Sequence, residues 1–113
     1  MVFSGGTNYI ESSRIYDNYG QETDSSVFGA VSYGGTNIFV NSLIYDNNTD
    51  TDQCFAYGNN TLLNTTLVAS QAIGNLYIVN ASSSLHAINS MLIGNFSYSD
   101  NSNYATTTLD NCI

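Results

Sequence analysis

Basic residues are nearly absent from this chain. Arg14 is its one Lys or Arg, against nine Asp and Glu, and the formal net charge at pH 7 is −8. A nucleic-acid-binding protein needs Lys and Arg to neutralise phosphates, so this composition excludes nucleic acid as a partner. The same shortage disfavours anionic lipids and anionic polysaccharides, and the acidic balance is typical of a soluble, secreted surface.

Helix-forming patterns are missing as well. Proline is absent, charged residues make up 9% of the chain, and no segment of useful length has the apolar period of a helix. Apolar residues reach 42%, which is enough for a core and argues against a disordered polar tract. Asn, Ser and Thr therefore supply the polar surface, and they suit turns and stacked ladders better than helix interiors. With the many β-branched residues and tyrosines, this composition predicts strands.

No apolar run is long enough to span a bilayer, and no signal peptide opens the chain. We therefore expect no membrane insertion by this segment, and we expect any export signal to lie outside it. The two cysteines, Cys54 and Cys112, fall about two repeats apart, an axial separation of roughly 10 Å that is too long for a disulfide. Both are predicted to be free thiols.

The dominant pattern that is present is an internal repeat. Residues 34–47 carry Gly-Gly-Thr-Asn and Ile-Tyr-Asp-Asn, and both motifs recur in residues 5–18. The pattern Asn-Ser/Thr-x-Ile/Leu-x-x-Asn/Ser then continues along the chain. Its first position falls at 12, 41, 64, 89 and 111, in steps of 29, 23, 25 and 22 residues. Such steps, with short apolar segments and polar joints of varying length, predict a solenoid.

We accordingly predict an all-β fold, a single-stranded right-handed parallel β-helix of about four to five coils with three short strands each. Residues 1–113 are expected to form one domain, a fragment of a longer solenoid. Two apolar columns should face inward: Ile10, Phe39, Leu62, Ala87 and Leu109, and Ile15, Ile44, Leu67 and Leu92. The third strands are expected at 2–3, 27–31, 54–57, 76–79 and 104–105.

The Asn of each repeat marks a bend between two strands. Stacked on one another, these side chains can bond amide to amide along the axis, as the Asn ladders of cross-β structures do. Ser12 is a weaker substitute in the first repeat, and Asn64 is expected to face inward. The predicted structural ladder consists of Asn41, Asn64, Asn89 and Asn111.

Gly29-Ala30-Val31, followed by Gly-Gly-Thr and by Asn-Ser-x-Ile-x-x-Asn, resembles the repeats of right-handed parallel β-helix (pectin-lyase-like) proteins. The resemblance is greatest to the polymorphic outer-membrane protein and adhesin-like group, whose repeats pair Gly-Gly-Ala-Ile with Phe-x-x-Asn. Here Phe28 replaces the leading Gly, and an aliphatic residue replaces Phe in the second motif. The resemblance covers nearly the whole chain and implies an extracellular or cell-surface passenger or adhesin.

Few residues could carry catalysis or bind a metal. Arg14 is the sole candidate base of a uronate lyase, and we interpret it as structural. Asp17 and Asp46 are expected one above the other, roughly 5 Å apart. That spacing suits a glycosidase pair or a Ca²⁺ site. A solvated turn is the favoured interpretation, because the corresponding position holds Ala69 in the third repeat and Gly94 in the fourth. No cofactor is expected apart from this candidate calcium site.

Tyr16 and Tyr45 should form an exposed column on the outer face. Such a column could hold a sugar ring, but stacking between neighbouring strands explains it without any ligand and is the favoured interpretation. His86 has no evident Cys, carboxylate or second His beside it and is predicted to be a lone surface residue.

The leading functional hypothesis is a non-catalytic extracellular β-solenoid segment, a stalk or an adhesion module. Its partner would be neutral carbohydrate or a host or cell-surface protein. Two alternatives stay open. One is a fragment of a polysaccharide-active lyase or glycoside hydrolase whose catalytic coils lie elsewhere. The other is a solenoid that self-associates end to end, because no polar caps are evident and open end strands invite pairing.

Overall fold

Every regular element in the described part of the chain is a β-strand. The computed structural model describes residues 5–20, 31, 34–49, 58–68, 75–78, 84–98 and 106–113. The strands in chain order are β1 Thr7–Glu11, β2 Arg14–Tyr16, β3 Tyr19–Gly20, β4 Thr36–Val40, β5 Leu43–Tyr45, β6 Asn48–Thr49, β7 Asn59–Leu63, β8 Thr66–Val68, β9 Asn75–Ile78, β10 Ser84–Ile88, β11 Met91–Ile93, β12 Asn95–Tyr98 and β13 Thr106–Asp110. The predicted all-β class is confirmed. The described residues contain no helix that is long and apolar enough to cross a membrane.

Parallel pairing joins strands that are three elements apart in sequence. Sheet 1 has the order β1-β4-β7-β10-β13, and sheet 2 has the order β11-β8-β5-β2. Two further parallel pairs, β9 with β12 and β3 with β6, are each formed by strands that follow a sheet 2 strand in sequence. The chain therefore returns to sheet 1 after each passage through sheet 2, an arrangement consistent with a parallel β-helix.

The register of sheet 1 reproduces the spacing of the sequence repeat. Thr7 pairs with Thr36, Thr36 with Asn59, Asn59 with Ser84, and Ser84 with Thr106. These pairs are 29, 23, 25 and 22 residues apart, the same steps that the sequence pattern gives. We number the repeats 1 to 5 by their sheet 1 strands.

Both predicted apolar columns face the core. Phe39, Ile44 and Leu62 are fully buried and Leu67 is 1% exposed, so each contributes about 1.5–3 kcal/mol through burial. Ile10 and Leu92 pack against this cluster from its edges. Leu109 keeps the inward register but is 51% exposed, because β13 has a described partner strand on one side only.

The bend between the two sheets is made by residues with a left-handed backbone. Ser12, Asn41, Asn64, Asn89 and Asn111 have φ values of 50°, 48°, 50°, 49° and 52°. Asn visits this region more readily than most residues, so the backbone conformation accounts for its recurrence there.

The expectation that Asn64 faces inward is wrong. Asn64 is exposed, as are the other bend residues, because the left-handed turn directs the side chain outward. Asn64 Nδ2 donates to Asn41 Oδ1 at 3.3 Å, so one rung of the predicted ladder exists at the surface of the described residues.

A second left-handed bend ends the sheet 2 strands at Asp17 and Asp46, with φ values of 54° and 50°. Short paired strands, Tyr19–Gly20 and Asn48–Thr49, follow these two bends. The third strand predicted at 76–79 is observed at Asn75–Ile78. The third strands predicted at 2–3, 54–57 and 104–105 lie outside the described residues, as does all of 27–31 except Val31.

Stacked glycines bring the backbones of neighbouring repeats together at the start of sheet 1. Gly6 and Gly35 have φ values of 67° and 76°. A Cβ on Gly35 would lie 2.7 Å from the carbonyl oxygen of Gly6, and a Cβ on Gly58 would clash in the same way with Gly35. A side chain at this corner would therefore push two repeats apart.

The glycine corner gives a paired test. Gly6→Ala should cost about 1–2 kcal/mol, the penalty for a Cβ at positive φ, since nothing lies within 4 Å of the added atom. Gly35→Ala should cost about 2–5 kcal/mol, because overpacking against the Gly6 carbonyl is added to that penalty. Urea unfolding followed by circular dichroism measures both, and equal losses would contradict the close approach.

The bend residues give a second test. Asn64→Leu should lose about 1–2 kcal/mol of stability because Leu resists the left-handed conformation. Asn64→Gly, which keeps that conformation and removes the amide, should change the free energy of unfolding by less than about 0.5 kcal/mol. If Asn64→Gly is as harmful as Asn64→Leu in thermal melts, the exposed amide bond and not the backbone is the stabilising element.

Candidate functional site

A buried column of asparagines runs through the first three repeats. Asn8 Nδ2 donates to Asn37 Oδ1 at 2.9 Å, and Asn37 Nδ2 donates to Asn60 Oδ1 at 3.0 Å. Asn37 Nδ2 also donates to Gly34 O at 3.1 Å. Asn37 and Asn60 are 0% and 2% exposed, so the buried amide ladder lies inside sheet 1 and not at the bend. The recurrence of Asn in Gly-Gly-Thr-Asn was the available sequence signal.

The buried amide ladder stops at repeat 4. Leu85 pairs with Asn60 and takes the inward place with an apolar side chain. On the side of Leu85 opposite Asn60, its register partner is Thr107, so a polar side chain occupies this position again in repeat 5. Thr107 Oγ1 is buried and has no hydrogen-bond partner within the described structure, because Leu85 offers none. Such an unpaired group costs free energy.

A second polar column, which we call the hydroxyl ladder, follows the bend residues and consists of Ser13, Ser42, Thr65, Ser90 and Cys112. Ser13 N donates to Ser42 Oγ at 3.2 Å, Ser42 N to Thr65 Oγ1 at 3.4 Å, and Thr65 N to Ser90 Oγ at 3.1 Å. Each of these hydroxyls in turn donates to a backbone carbonyl. The ladder thus satisfies backbone groups of neighbouring repeats at a corner that is otherwise shielded from water.

Cys112 occupies the fifth position of the hydroxyl ladder. Its Sγ donates to Ala87 O at 3.3 Å and to Asp110 O at 3.4 Å, and the thiol is free. The prediction of a free thiol is confirmed for Cys112, whereas Cys54 lies outside the described residues. A thiol is a weak donor, so Cys112 is a weaker replacement for Ser.

The second bend has its own amide pair. Asn18 Nδ2 donates to Asn47 Oδ1 at 2.7 Å, and Asn47 Nδ2 donates to Ile15 O at 2.8 Å and to Tyr45 O at 2.9 Å. Asn47 is buried. Its amide is therefore occupied by the protein and offers little to a ligand.

Tyr16 and Tyr45 stack on the outer face of sheet 2, as predicted. Their ring centroids are 5.1 Å apart and their planes differ by 11°. Because the two residues are register partners on adjacent strands, each ring covers one face of the other. This geometry supports stacking between strands as the purpose of the pair, and a role in carbohydrate binding stays a prediction.

Asp17 and Asp46 are exposed, and their left-handed conformation is one that Asp tolerates well. In the described ranges no three His, Cys, Asp or Glu side chains come together as a metal site requires. The calcium site at these two residues stays a prediction. Arg14 is exposed and lines a small cleft of about 170 Å³ with Ile15, Tyr16 and Asn18.

The prediction that His86 is a lone surface residue is wrong, because a carboxylate lies beside it. His86 Nε2 lies 3.0 Å from Asp110 Oδ2 on the next strand of sheet 1. The two side chains are 44% and 56% exposed, and an ion pair so open to water stabilises a protein little. Asp110 is 24 residues away in sequence, so only the register of β10 and β13 reveals the contact.

A concave surface follows the bend between the two sheets, and we call it the bend groove. One portion, of about 470 Å³, is lined by residues that include Arg14, Asn41 and Leu43. The other, of about 340 Å³, is lined by residues that include Asn89, Met91 and Asn111. Asn64 and Thr66 line both portions, so the two form one groove across successive repeats.

Comparison with known proteins gives no matching family model, no matching curated protein and no matching solved structure. The resemblance to the polymorphic outer-membrane protein and adhesin-like group therefore stays a hypothesis that rests on the repeat pattern. Any function must be argued from the geometry of this chain.

The same type of substitution, Thr to Val, should have opposite effects on stability in the hydroxyl ladder and at the end of the buried amide column. Thr65→Val should destabilise the protein by about 1–3 kcal/mol, because Ser42 N loses its acceptor and the carbonyls of Phe39 and Leu63 each lose one hydrogen bond in a site that is 1% exposed. Thr107→Val removes an unpaired buried hydroxyl at constant shape and should stabilise by about 1 kcal/mol. Chemical denaturation measures both, with Thr108→Val as the exposed control; the same sign at Thr65 and Thr107 would contradict these assignments.

Proposed function

We propose that the described sheets belong to a single right-handed parallel β-helix with three strands per coil. We further propose that this solenoid acts outside the cell or at its surface as a non-catalytic stalk or adhesion module. The residues that recur along the chain support this proposal, because they are the ones that bond neighbouring repeats together.

The hydroxyl ladder is the observation that carries the proposal. A hydroxyl or thiol occupies the same place in all five repeats, and the groups in repeats 2 to 5 each bond to the repeat before them. Each rung holds only its neighbours, so the same contact can continue for as many repeats as the chain supplies. A repeated structural contact of this kind is what a spacer or stalk requires.

In sheet 2, the class of residue at the outward position varies among the repeats, whereas the class of residue at the inward position does not. Tyr16, Tyr45, Val68 and Ile93 occupy one outward column, whereas the inward column beside it is aliphatic throughout. Variation on the outside over a constant inside is expected when recognition is carried by the surface and the core only supports it.

The charge of the chain supports a neutral partner. With a single basic residue and a net charge of −8, the surface repels phosphate, sulfate and uronate groups. Neutral carbohydrate or a cell-surface protein is therefore the expected partner class. The abundance of uncharged Asn, Ser and Thr also suits a surface that hydrogen-bonds without relying on charge.

The proposal is tested by incubating the purified chain with soluble polysaccharides, both neutral and uronate-containing, and measuring viscosity and newly formed reducing ends. We expect neither to change, and the double variant Asp17→Asn, Asp46→Asn should behave as the wild type. Cleavage that this double variant abolishes would contradict a non-catalytic role and establish the hydrolase alternative, because these two carboxylates are the candidate pair.

Sedimentation velocity over a wide concentration range separates the stalk from the self-associating alternative. A stalk module should sediment as a monomer throughout. Growth of long species with concentration would instead support end-to-end stacking, since open strand edges pair with one another.

A further inference from the structure

The bend groove runs parallel to the direction in which the repeats stack. It extends from Ser12 in repeat 1 to Asn111 in repeat 5, and four steps of ~4.8 Å give a length of roughly 19 Å. Its two portions, of about 470 and 340 Å³, each fall within the size range of ligand pockets. A ligand that follows the groove must therefore be extended and must repeat along its length.

The two sides of the groove differ in chemistry. One side carries the exposed amides of Asn41, Asn64 and Asn89, one in each successive repeat. The other side carries a column of outward residues, Arg14, Leu43, Thr66 and Met91, of which Leu43 and Met91 are apolar. Amides that donate and accept thus face a column with two apolar side chains, and polar groups beside apolar ones are the combination that binding sites for polar organic ligands use.

The amides of the groove are more available than the buried amides of Asn37 and Asn47. Asn64 Nδ2 donates to Asn41 Oδ1 at 3.3 Å in an exposed and therefore weak bond. Asn37 and Asn47, by contrast, are buried and form shorter bonds to neighbouring amides or carbonyls. A ligand can replace the exposed bond at little cost, whereas the buried ones are fixed.

The backbone around the groove offers few free hydrogen-bond donors to a peptide. Asn41 N and Asn64 N donate to carbonyls of the following repeat, and Leu43 N and Thr66 N donate to carbonyls of the preceding repeat. A peptide that adds to a sheet needs free backbone donors, and these are already used. Side chains must therefore make the contacts, and Arg14 is the single cation among them.

We propose that the bend groove binds one strand of a neutral polysaccharide along the repeat axis. Sugar hydroxyls, which donate and accept, bond to Asn41 and Asn64, and the apolar C–H faces of the sugar rings lie on Leu43 and Met91. This inference rests on the proposed non-catalytic adhesion role and gives it a site that is separate from the Tyr16–Tyr45 stack.

The test uses glycine substitutions that leave the backbone undisturbed. The double variant Asn41→Gly, Asn64→Gly removes two amides from the groove, and glycine accepts their φ values of 48° and 50°. The matched control Asp17→Gly, Asp46→Gly makes the same kind of change at the other left-handed bend. Thermal melts establish that both variants fold. Met91→Glu, at a position 43% exposed, is a second groove variant that adds a charge to the apolar strip.

Affinity electrophoresis in native gels supplies the readout, with a β-linked glucan, a mannan, a xylan or polygalacturonate cast into the gel. Mobilities are compared with and without polymer, so that the altered charge of some variants cancels. We expect at least one neutral polysaccharide to retard the wild type and polygalacturonate to have no effect. Loss of two hydrogen bonds should weaken binding about tenfold or more in the Asn variant, while the Asp control stays within about twofold.

Three results would overturn the inference: no retardation by any neutral polysaccharide, unchanged affinity in both groove variants, or a loss caused only by Tyr16→Ala and Tyr45→Ala. The last would place the sugar on the tyrosine stack. The outcome is distinguishable from failure of the proposed function. Release of reducing ends contradicts the non-catalytic role wherever the polymer binds, and absence of binding without cleavage removes the groove site alone.

Discussion

Hydrogen bonding between side chains of successive repeats is the constraint on which the rest of the structure depends. Parallel strands that stack at a fixed spacing bring the same residue of each repeat together, so a polar residue at an inward place must find its partner one repeat away. The hydroxyl ladder and the buried asparagines meet this requirement. The apolar columns pack beside them, and within the described part of the chain Thr107 Oγ1 is the buried side-chain group that has no hydrogen-bond partner.

This constraint also determines which residues remain for function. Asn37, Asn47 and Thr65 look like potential ligand contacts in the sequence, yet their polar atoms are bonded within the protein. Asn41 and Asp46, at the two left-handed bends, point outward and are open to solvent. The backbone conformation therefore separates structural amides from available ones.

The sequence was sufficient to predict the repeat spacing and the inward aliphatic columns, because period-2 alternation and recurring steps encode both directly. It was not sufficient to place the buried ladder. Asn37 within a strand and Asn64 at a bend look alike in sequence, and only burial and φ distinguish them. The contact of His86 with Asp110 also depends on register and a diagonal offset between strands.

The glycine corner has a consequence for how such a chain can grow. Gly35 lies so close to Gly6, and Gly58 to Gly35, that a side chain added at either glycine would meet the backbone of the repeat before it. The Asn that follows two residues later, Asn8 or Asn37, requires an amide above or below it. The corner glycine and the Asn two residues after it must therefore be copied together when one of these repeats is duplicated. The 29-residue unit of the first two repeats carries both, so its tandem duplication would lengthen the protein without breaking either contact.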